Sequence, residues 1–193
     1  MFHTPNTDIV KYQARSMDKP LVETRTRGVK EVELEDLKKA LRKAIEKHGI
    51  EGVSTGALYS NYQRSRIERI CDELGLKVFS PLWHVNQYEY FKRLLKEGFE
   101  IVFSSVAAMG LDKSWVGKKI TMNDLEKLRE LEKKYGLNVA GEGGEFESLV
   151  LNAPLFKKRI VITDFEIISE GEYNHRMIVK KVKLVEKDIT DFK

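Results

Sequence analysis

Four segments of the chain share one pattern, in which a helix-forming stretch ends at a glycine and a short apolar stretch follows. The glycines are Gly49, Gly75, Gly98 and Gly136, and the residue after each of them is Ile, Leu or Phe. Glycine is favoured just past a helix because the residue there adopts the left-handed conformation, and the next apolar residue packs on the last helical turn. Each segment therefore predicts a helix that leads into a strand. The predicted helices are 33–48, 61–74, 87–97 and 122–135.

The order of the predicted elements indicates an α/β fold. Strands are predicted at 52–55, 77–80 and 99–106, and the third is apolar enough to be buried on both faces. Helices that alternate with buried strands form a mostly parallel, Rossmann-like sheet with helices on both of its faces.

The pattern changes near residue 146, where predicted strands follow one another without long helices between them. These strands are 146–151, 159–163 and 177–186, and the polar segment 164–174 reads as a connection. This predicts a smaller, mixed β addition. We therefore expect an α/β domain of the nucleotide-binding type at 1–140 and a substrate-binding β region at 141–193.

The composition excludes several classes of protein. With 193 residues, 41% of them apolar and 33% charged, the chain has the composition of a globular protein rather than a disordered or fibrous one. It has no apolar run approaching the roughly 18 residues of a membrane helix and no signal-peptide pattern, so a cytoplasmic location is expected. A net charge of +4, with acidic and basic residues interspersed, argues against nucleic-acid binding. One cysteine excludes an internal disulfide, and the four scattered histidines predict no structural metal site.

The loop after the first predicted strand is a candidate nucleotide-binding site. Ligands of parallel sheets bind at the carboxyl ends of the strands, where helix N-termini converge. Free amides and a guanidinium group at such a place can bind an anion. The alternative is that Gln63 only caps the helix and Arg66 is only a surface charge. The candidate residues are Thr55, Gly56, Ala57, Tyr62, Gln63 and Arg66.

Residues 141–147, which we name the glycine–glutamate loop, read Gly-Glu-Gly-Gly-Glu-Phe-Glu. Glycines such as Gly143 and Gly144 allow a ligand to approach the backbone closely. Glu142, Glu145 and Glu147 repel one another unless a cation or an amine-bearing substrate lies among them. The loop is therefore predicted to be a substrate or Mg²⁺ site rather than a structural turn. The chain has no Gly-x-Ser-x-Gly, Walker or dinucleotide motif, and Cys71 lies on an apolar helix stripe, which places it in the core.

Four long motifs, taken together and in order, resemble the diphthine ammonia ligase family, a group of PP-loop ATP pyrophosphatases with an adenine nucleotide alpha hydrolase-like fold. They are residues 56–64 with Arg66 and Glu68, residues 74–76 with 81–83, residues 110–117, and residues 141–147 with 154–156. The resemblance covers nearly the whole chain.

The resemblance implies an enzyme that uses ATP and Mg²⁺ to amidate diphthine, a modified histidine of elongation factor 2. The carboxylate would be activated as an acyl-adenylate and captured by ammonia to give diphthamide. Glu142, Glu145 and Glu147 would be the catalytic or cation-holding acids, because diphthine carries a trimethylammonium group. The other residues expected to bind substrate are Gly143, Gly144, Trp83, Trp115 and Asp112.

The chain departs from the family at its start, because it has no Ser-Gly-Gly-Lys-Asp-Ser loop to bind the ATP phosphates. We therefore expect an N-terminally truncated form that lacks the PP-loop strand and helix. Two alternatives stay open at this stage. One is a non-catalytic module that binds elongation factor 2 or another partner, and the other is a PP-loop enzyme acting on a different carboxylate or carbonyl. A transfer-RNA substrate for such an enzyme is disfavoured by the low net charge.

Overall fold

The computed structural model describes residues 6–26 and 32–187 of the chain. Their helices and strands alternate in the first half and become mainly strands in the second, as expected. The helices are α1 (Ile9–Met17), α2 (Val32–His48), α3 (Asn61–Glu73), α4 (Gln87–Lys96) and α5 (Met122–Tyr135), with one 3₁₀ turn at Lys113–Trp115. The strands are β1 (Gly52–Ser54), β2 (Lys77–Phe79), β3 (Glu100–Ala107), β4 (Phe146–Asn152), β5 (Lys158–Ser169) and β6 (Asn174–Glu186).

These elements form two compact units. Within the described residues, the first unit comprises 21–26 and 32–85, and the second comprises 6–20 and 86–187. The first unit contains α2, α3 and a parallel pair of strands, β1 and β2, in which Val53 lies opposite Val78. Parallel strands with intervening helices, together with a separate β region, confirm the predicted α/β class.

The second unit is built on a four-stranded antiparallel sheet in the order β4-β3-β6-β5. β3 was expected to extend the parallel sheet, but it pairs antiparallel with both β4 and β6. A continuous apolar run predicts burial on both faces and does not indicate strand direction. Helices α4 and α5 bury one side of β3, because Phe91, Leu125 and Leu128 pack in one cluster with Phe103 and Val106.

The segment 164–174 was expected to be a polar connection, and this was wrong for most of its length. β5 continues to Ser169 and β6 begins at Asn174, so only four residues form the turn. The register shifts between Ile162 and Phe165, which indicates a β-bulge. A bulge breaks the strict alternation of apolar and polar residues, and alternation is the signal by which a strand is recognised in a sequence.

β3 lies before residue 140 in the chain and β4 lies after it, and the two strands pair with each other. Residues on both sides of the predicted domain boundary therefore share one sheet. That boundary was placed near the point where the pattern of predicted elements changes, and the division into two domains stays a prediction.

Local signals set the helix ends. The Thr121 hydroxyl and the Asp124 carboxylate form a capping box at the start of α5, and the side chains of Ser60 and Asn86 cap α3 and α4. All four glycines of the repeated pattern have positive φ, from 60° at Gly49 to 81° at Gly98. Cys71 is fully buried, as predicted. In the part of the chain that the structure describes, no helix is both long and apolar enough to cross a membrane.

Candidate functional site

The candidate residues of the first unit lie where β1 and β2 end. The Oγ1 atom of Thr55, just past β1, lies 3.0 Å from the Oγ atom of Ser80, just past β2. The Thr55 amide also donates to the carbonyl oxygen of Phe79 at 2.9 Å. Space is open beside Gly56, because no atom lies within 4 Å of the position a Cβ would take there. The strand ends therefore offer a hydroxyl pair next to accessible backbone, whereas Ala57 is buried.

The first turn of α3 satisfies most of its own amides. Ser60 Oγ accepts from the Gln63 amide at 3.3 Å, and the Ser60 carbonyl accepts from the Arg64 amide at 3.0 Å. Gln63 thus contributes its backbone to the helix cap. The guanidinium of Arg66 lies 3.4 Å from the centroid of the Tyr62 ring and donates to the Tyr62 carbonyl oxygen at 3.2 Å. Arg66 and Tyr62 therefore form one cationic and aromatic pair on α3.

Four side chains form a continuous stack beside these strand ends, and we name it the Trp83 stack: Tyr59, His84, Trp83 and Arg64. The Tyr59 and His84 rings are 5.1 Å apart, and the His84 and Trp83 rings are 4.8 Å apart. The Arg64 guanidinium covers the Trp83 ring at 4.6 Å. His84 has a left-handed backbone with φ of 60°, and its amide donates to the Leu58 carbonyl at 2.9 Å. A non-glycine residue in this conformation costs about 1–3 kcal/mol, and such strain is often found at functional sites.

From the sequence, Trp83 was predicted to be a site residue, whereas Arg64 and His84 were not. The available signal was the pair Trp83-His84, which begins four residues after the end of β2, together with Arg64 one turn into α3. The positions of these residues in the sequence do not indicate that they stack. They meet because the pairing of β1 with β2 brings the loops after the two strands together.

In the second unit, Asp112 precedes the 3₁₀ turn and Trp115 is the last residue of that turn. Asp112 is exposed, and its Oδ1 atom accepts from the hydroxyl and the amide of Ser114 at 2.5 and 2.8 Å. These two hydrogen bonds, the hydroxyl first, lower the pKa of Asp112. Trp115 is buried and stacks on Phe103 at 6.1 Å, with the Lys118 ammonium 5.1 Å from its ring. Asp112 thus caps the turn, and Trp115 belongs to the core.

Backbone amides organise the glycine–glutamate loop around one carboxylate. Glu145 Oε1 accepts from the Asn138 amide at 2.9 Å, and Oε2 accepts from the Gly143 amide at 2.8 Å. The Asn138 side chain supports the same turn, because its Oδ1 accepts from the amides of Ala140 and Glu142 at 2.9 and 3.3 Å. A side chain would be crowded at two of the glycine positions. A Cβ at Gly143 would lie 2.6 Å from Glu145 Oε1, and one at Gly141 would lie 2.9 Å from the Phe146 carbonyl oxygen.

The three glutamates of this loop differ in their surroundings. Glu145 is tied to the backbone as described. Glu142 is exposed, and partial burial of its carboxyl group, together with the negative charge of Glu145, raises its pKa. Glu147 lies in β4 opposite Ser105, and Ser105 also lies opposite Arg176 of β6. Glu147 and Arg176 therefore flank Ser105 in one row across three strands.

The structure brings the predicted residues together in two groups, one in each unit. Thr55, Gly56, Tyr62, Arg66 and Trp83 belong to the first unit, and the glycine–glutamate loop belongs to the second with Asp112 and Trp115. Among the described residues, no group of three or more His, Cys, Asp or Glu side chains is arranged to hold a metal ion. Both Glu145 oxygens also accept amide hydrogen bonds. These residues therefore do not fit Mg²⁺ by themselves.

Comparison with known proteins agrees with this two-part division except at α1, which belongs to the second unit but lies within the N-terminal match. Residues 1–78 match the family model described as diphthamide synthase N-terminal domain, and residues 86–185 match the one described as diphthamide synthase C-terminal domain. The gap between the matches includes the point, after residue 85, where the chain passes from the first unit to the second.

Similar curated proteins bear one name. A rat protein named diphthine--ammonia ligase is 42% identical over 158 residues, which are 81% of this chain and 57% of that protein. The human protein of that name is 40% identical over the same shares of the two chains. A Schizosaccharomyces pombe protein with this name is 38% identical over 95% of this chain but 32% of its own length. The chain thus spans less than three fifths of the length of these relatives, and by its family matches it belongs to the diphthamide synthase family.

Proposed function

We propose that this chain takes part in the ATP-dependent amidation of diphthine on elongation factor 2. The observation that carries the proposal is the preformed glycine–glutamate loop, in which two backbone amides fix Glu145 while Glu142 stays exposed. The name diphthine--ammonia ligase, borne by relatives 38–42% identical, supports it.

The proposed reaction has two steps. The diphthine carboxylate attacks the α-phosphorus of ATP, which forms an acyl-adenylate and releases pyrophosphate. Ammonia then attacks the acyl carbon, the amide bond forms, AMP leaves, and one proton is lost from nitrogen. A carboxylate is a poor electrophile, so ATP supplies the leaving group, and the protein contributes positioning and charge stabilisation.

In this proposal, the glutamates of the loop have different roles. Glu145 is a positioning residue, because its oxygens accept from the Asn138 and Gly143 amides and so hold the turn. Glu142, with its raised pKa, is the better acceptor for the proton that ammonium or the attacking ammonia must lose. Glu147 adds negative charge on β4 for the trimethylammonium group. Gly144 leaves the backbone open to the substrate, whereas the Gly143 amide is used to hold Glu145. Asp112 and Trp115 support the same unit from the 3₁₀ turn.

The first unit supplies the nucleotide-binding part of the proposal. Thr55 and Gly56 would contact ATP at the ends of β1 and β2, where the Thr55 hydroxyl and the open backbone are accessible. The pair formed by Arg66 and Tyr62 would provide positive charge beside it. Trp83 already carries a cation, because the Arg64 guanidinium lies over its ring, and the His84 ring stacks on it as well. A substrate trimethylammonium group bound there would displace the Arg64 guanidinium. No step is assigned to Mg²⁺, because the described residues offer no ligand cluster for it.

The test is mass-spectrometric detection of the amide on diphthine-bearing elongation factor 2 after incubation with ATP and ammonium. It is run on this chain, on the chain extended at its N-terminus by the phosphate-binding loop of the family, and on the rat relative as a positive control. Amide formation together with AMP release is the expected result for the extended chain. Binding of elongation factor 2 without AMP release by either form would instead support the non-catalytic binding module.

A matched pair of variants tests the role of the loop in the same assay. Glu142→Gln should slow amide formation while ATP binding is retained, because it removes the proton acceptor. Glu132→Gln on the exposed face of α5 makes the same charge change away from the loop and should have no effect. Equal rates for both variants would remove Glu142 from the reaction.

A further inference from the structure

The second unit contains a cleft of about 200 Å³ that has no part in the proposed reaction. It lies between β3, the β5–β6 ribbon and the segment that follows the 3₁₀ turn. Its walls are mainly apolar, and Lys119, Arg159 and Glu100 lie along them. The apolar wall residues are Val102, Leu151, Ile160, Val161, Ile162, Phe165 and Met177.

The cleft exists because β3 pairs with β6 over only three residues. These pairs run from Ser105 opposite Arg176 to Ala107 opposite Asn174. Nearer its start, β3 is hydrogen-bonded instead to the segment after the 3₁₀ turn. There the Gly117 amide donates to the Phe103 carbonyl oxygen at 2.9 Å. The β5–β6 ribbon therefore separates from β3 and leaves an apolar gap.

Gly117 allows the cleft wall to close. Its φ is 77°, and a Cβ there would lie 3.1 Å from the Phe165 ring. The Phe165 ring, which is half-exposed, lies against the backbone at Gly117, and a side chain there would push the ring outwards. The Phe165 ring thus forms an aromatic wall of the cleft and packs against the Gly117 backbone.

A triplet of charges lies at one end of the cleft. Glu100 Oε1 accepts from Lys119 Nζ at 2.5 Å, and Glu100 Oε2 accepts from Arg159 Nε at 2.8 Å. The Glu100 side chain is 11% exposed, whereas those of Lys119 and Arg159 are 56% and 37% exposed. The triplet carries one net positive charge. Within the described residues, Arg159 pairs with Glu100 through its Nε atom. Its two Nη groups can therefore bind another anion in addition to Glu100.

We propose that this cleft binds a small monocarboxylate with an apolar body, of the arylalkanoate class. An apolar cavity of about 150 Å³ admits benzene, so a cleft of this volume has room for a phenyl ring and a short arm. The ring contacts the apolar walls, and the carboxylate receives charge-assisted hydrogen bonds from Arg159 and Lys119. The net positive charge selects an anion over a neutral ligand of the same shape.

The charged residues of this site are separate from the glycine–glutamate loop. Glu100 lies at one end of β3 opposite Asn152, and Val106 lies near the other end opposite Phe146. At about 3.3 Å per residue, the two ends are roughly 20 Å apart. The proposal therefore does not depend on the amidation reaction, and either can fail alone.

The probe is 3-phenylpropionate, titrated into the whole chain and followed by the shifts of backbone amide signals in two-dimensional NMR. Because the ligand has about ten non-hydrogen atoms, we expect saturable binding with a Kd of about 1 mM or tighter. The largest shifts are expected at Gly117, Lys119 and Ile162. The neutral analogue 3-phenylpropanamide should bind about tenfold more weakly.

Two variants complete the test. Lys119→Gln leaves Arg159 to pair with Glu100 and should weaken binding by about tenfold. Lys158→Gln removes another ion-paired lysine, next to Arg159 on β5, and should leave binding unchanged, because Lys158 pairs with Glu186 and does not line the cleft. The proposal is overturned if 3-phenylpropionate does not saturate, if the amide binds as tightly, or if both variants weaken binding equally.

Discussion

Replacing Glu145 by Gln tests whether the glycine–glutamate loop is held by its own backbone. The two Glu145 oxygens accept from amides five residues apart, those of Asn138 and Gly143, at 2.9 and 2.8 Å. Glutamine has one carbonyl oxygen and one NH₂ group. It can therefore keep one of these hydrogen bonds, and its NH₂ group then faces an amide that also donates.

The magnitude follows from the loss of one charge-assisted hydrogen bond. Hydrogen bonds to charged groups contribute about 1.5–3 kcal/mol each, and the remaining bond becomes a neutral one. The free energy that holds the loop closed should therefore fall by about 1.5–3 kcal/mol. Because about 1.4 kcal/mol corresponds to a factor of ten, the open state should become about ten to a hundred times more populated.

The assay is amide hydrogen exchange measured residue by residue. In Glu145→Gln, the Asn138 and Gly143 amides should exchange about ten to a hundred times faster, while core strands keep their protection. Glu142→Gln is the matched control, because it makes the same charge change at a residue whose carboxylate forms no hydrogen bond within the described residues. It also removes the charge that faces Glu145, so it should leave exchange unchanged or slower. Equal acceleration in both variants would refute the reasoning.

Three further predictions concern local conformation and capping. Gly141→Ala should destabilise the second unit more than Gly144→Ala in urea unfolding. Both residues have positive φ, which costs about 1–2 kcal/mol for alanine, but only at Gly141 would the methyl group lie 2.9 Å from a carbonyl oxygen. Thr121→Ala should cost about 1 kcal/mol by the same measurement, because it removes the capping box of α5. Burial raises the pKa of Asp124, but hydrogen bonds from Lys118 and Thr121 outweigh it and hold this pKa below 3.8. Its contribution to stability is therefore present above pH 3.8 and lost as the pH falls through the lower folded-state value, and an acid titration of Asp124→Asn should lack this component.

The first half of the fold was predictable because its signals are local. A glycine with positive φ and a capping side chain act within one helical turn, so the ends of α5 at Met122 and Tyr135 agree with the prediction. The direction of β3 was not predictable, because it depends on β4 and β6, which lie about 40 and 70 residues further along the chain. Helix α1 was missed as well, since its nine residues carry neither an acidic first turn nor a side-chain cap.

The candidate site was predictable in position and not in detail. Three glycines and three glutamates in seven residues indicated a special loop, and the structure shows a turn built from those residues. In the sequence, the three carboxylates are equivalent charges. In the structure, their hydrogen-bond partners and neighbours distinguish them. The Trp83 stack shows the same limit, because Arg64 and Trp83 are 19 positions apart and meet only through the pairing of β1 and β2.

The three glutamates of the glycine–glutamate loop repel one another, and backbone amides of the protein offset part of this repulsion. Repulsion among them was expected to require a cation, yet the Glu145 charge is already stabilised by two amide dipoles that the glycine-rich turn directs at it. The remaining repulsion falls on Glu142, whose pKa is raised by partial burial of its carboxyl group and by the charge of Glu145. A cation that binds here would relieve that repulsion and lower the Glu142 pKa again. Glu145 thus fixes the shape of the loop, and Glu142 is the carboxylate left to respond to a substrate.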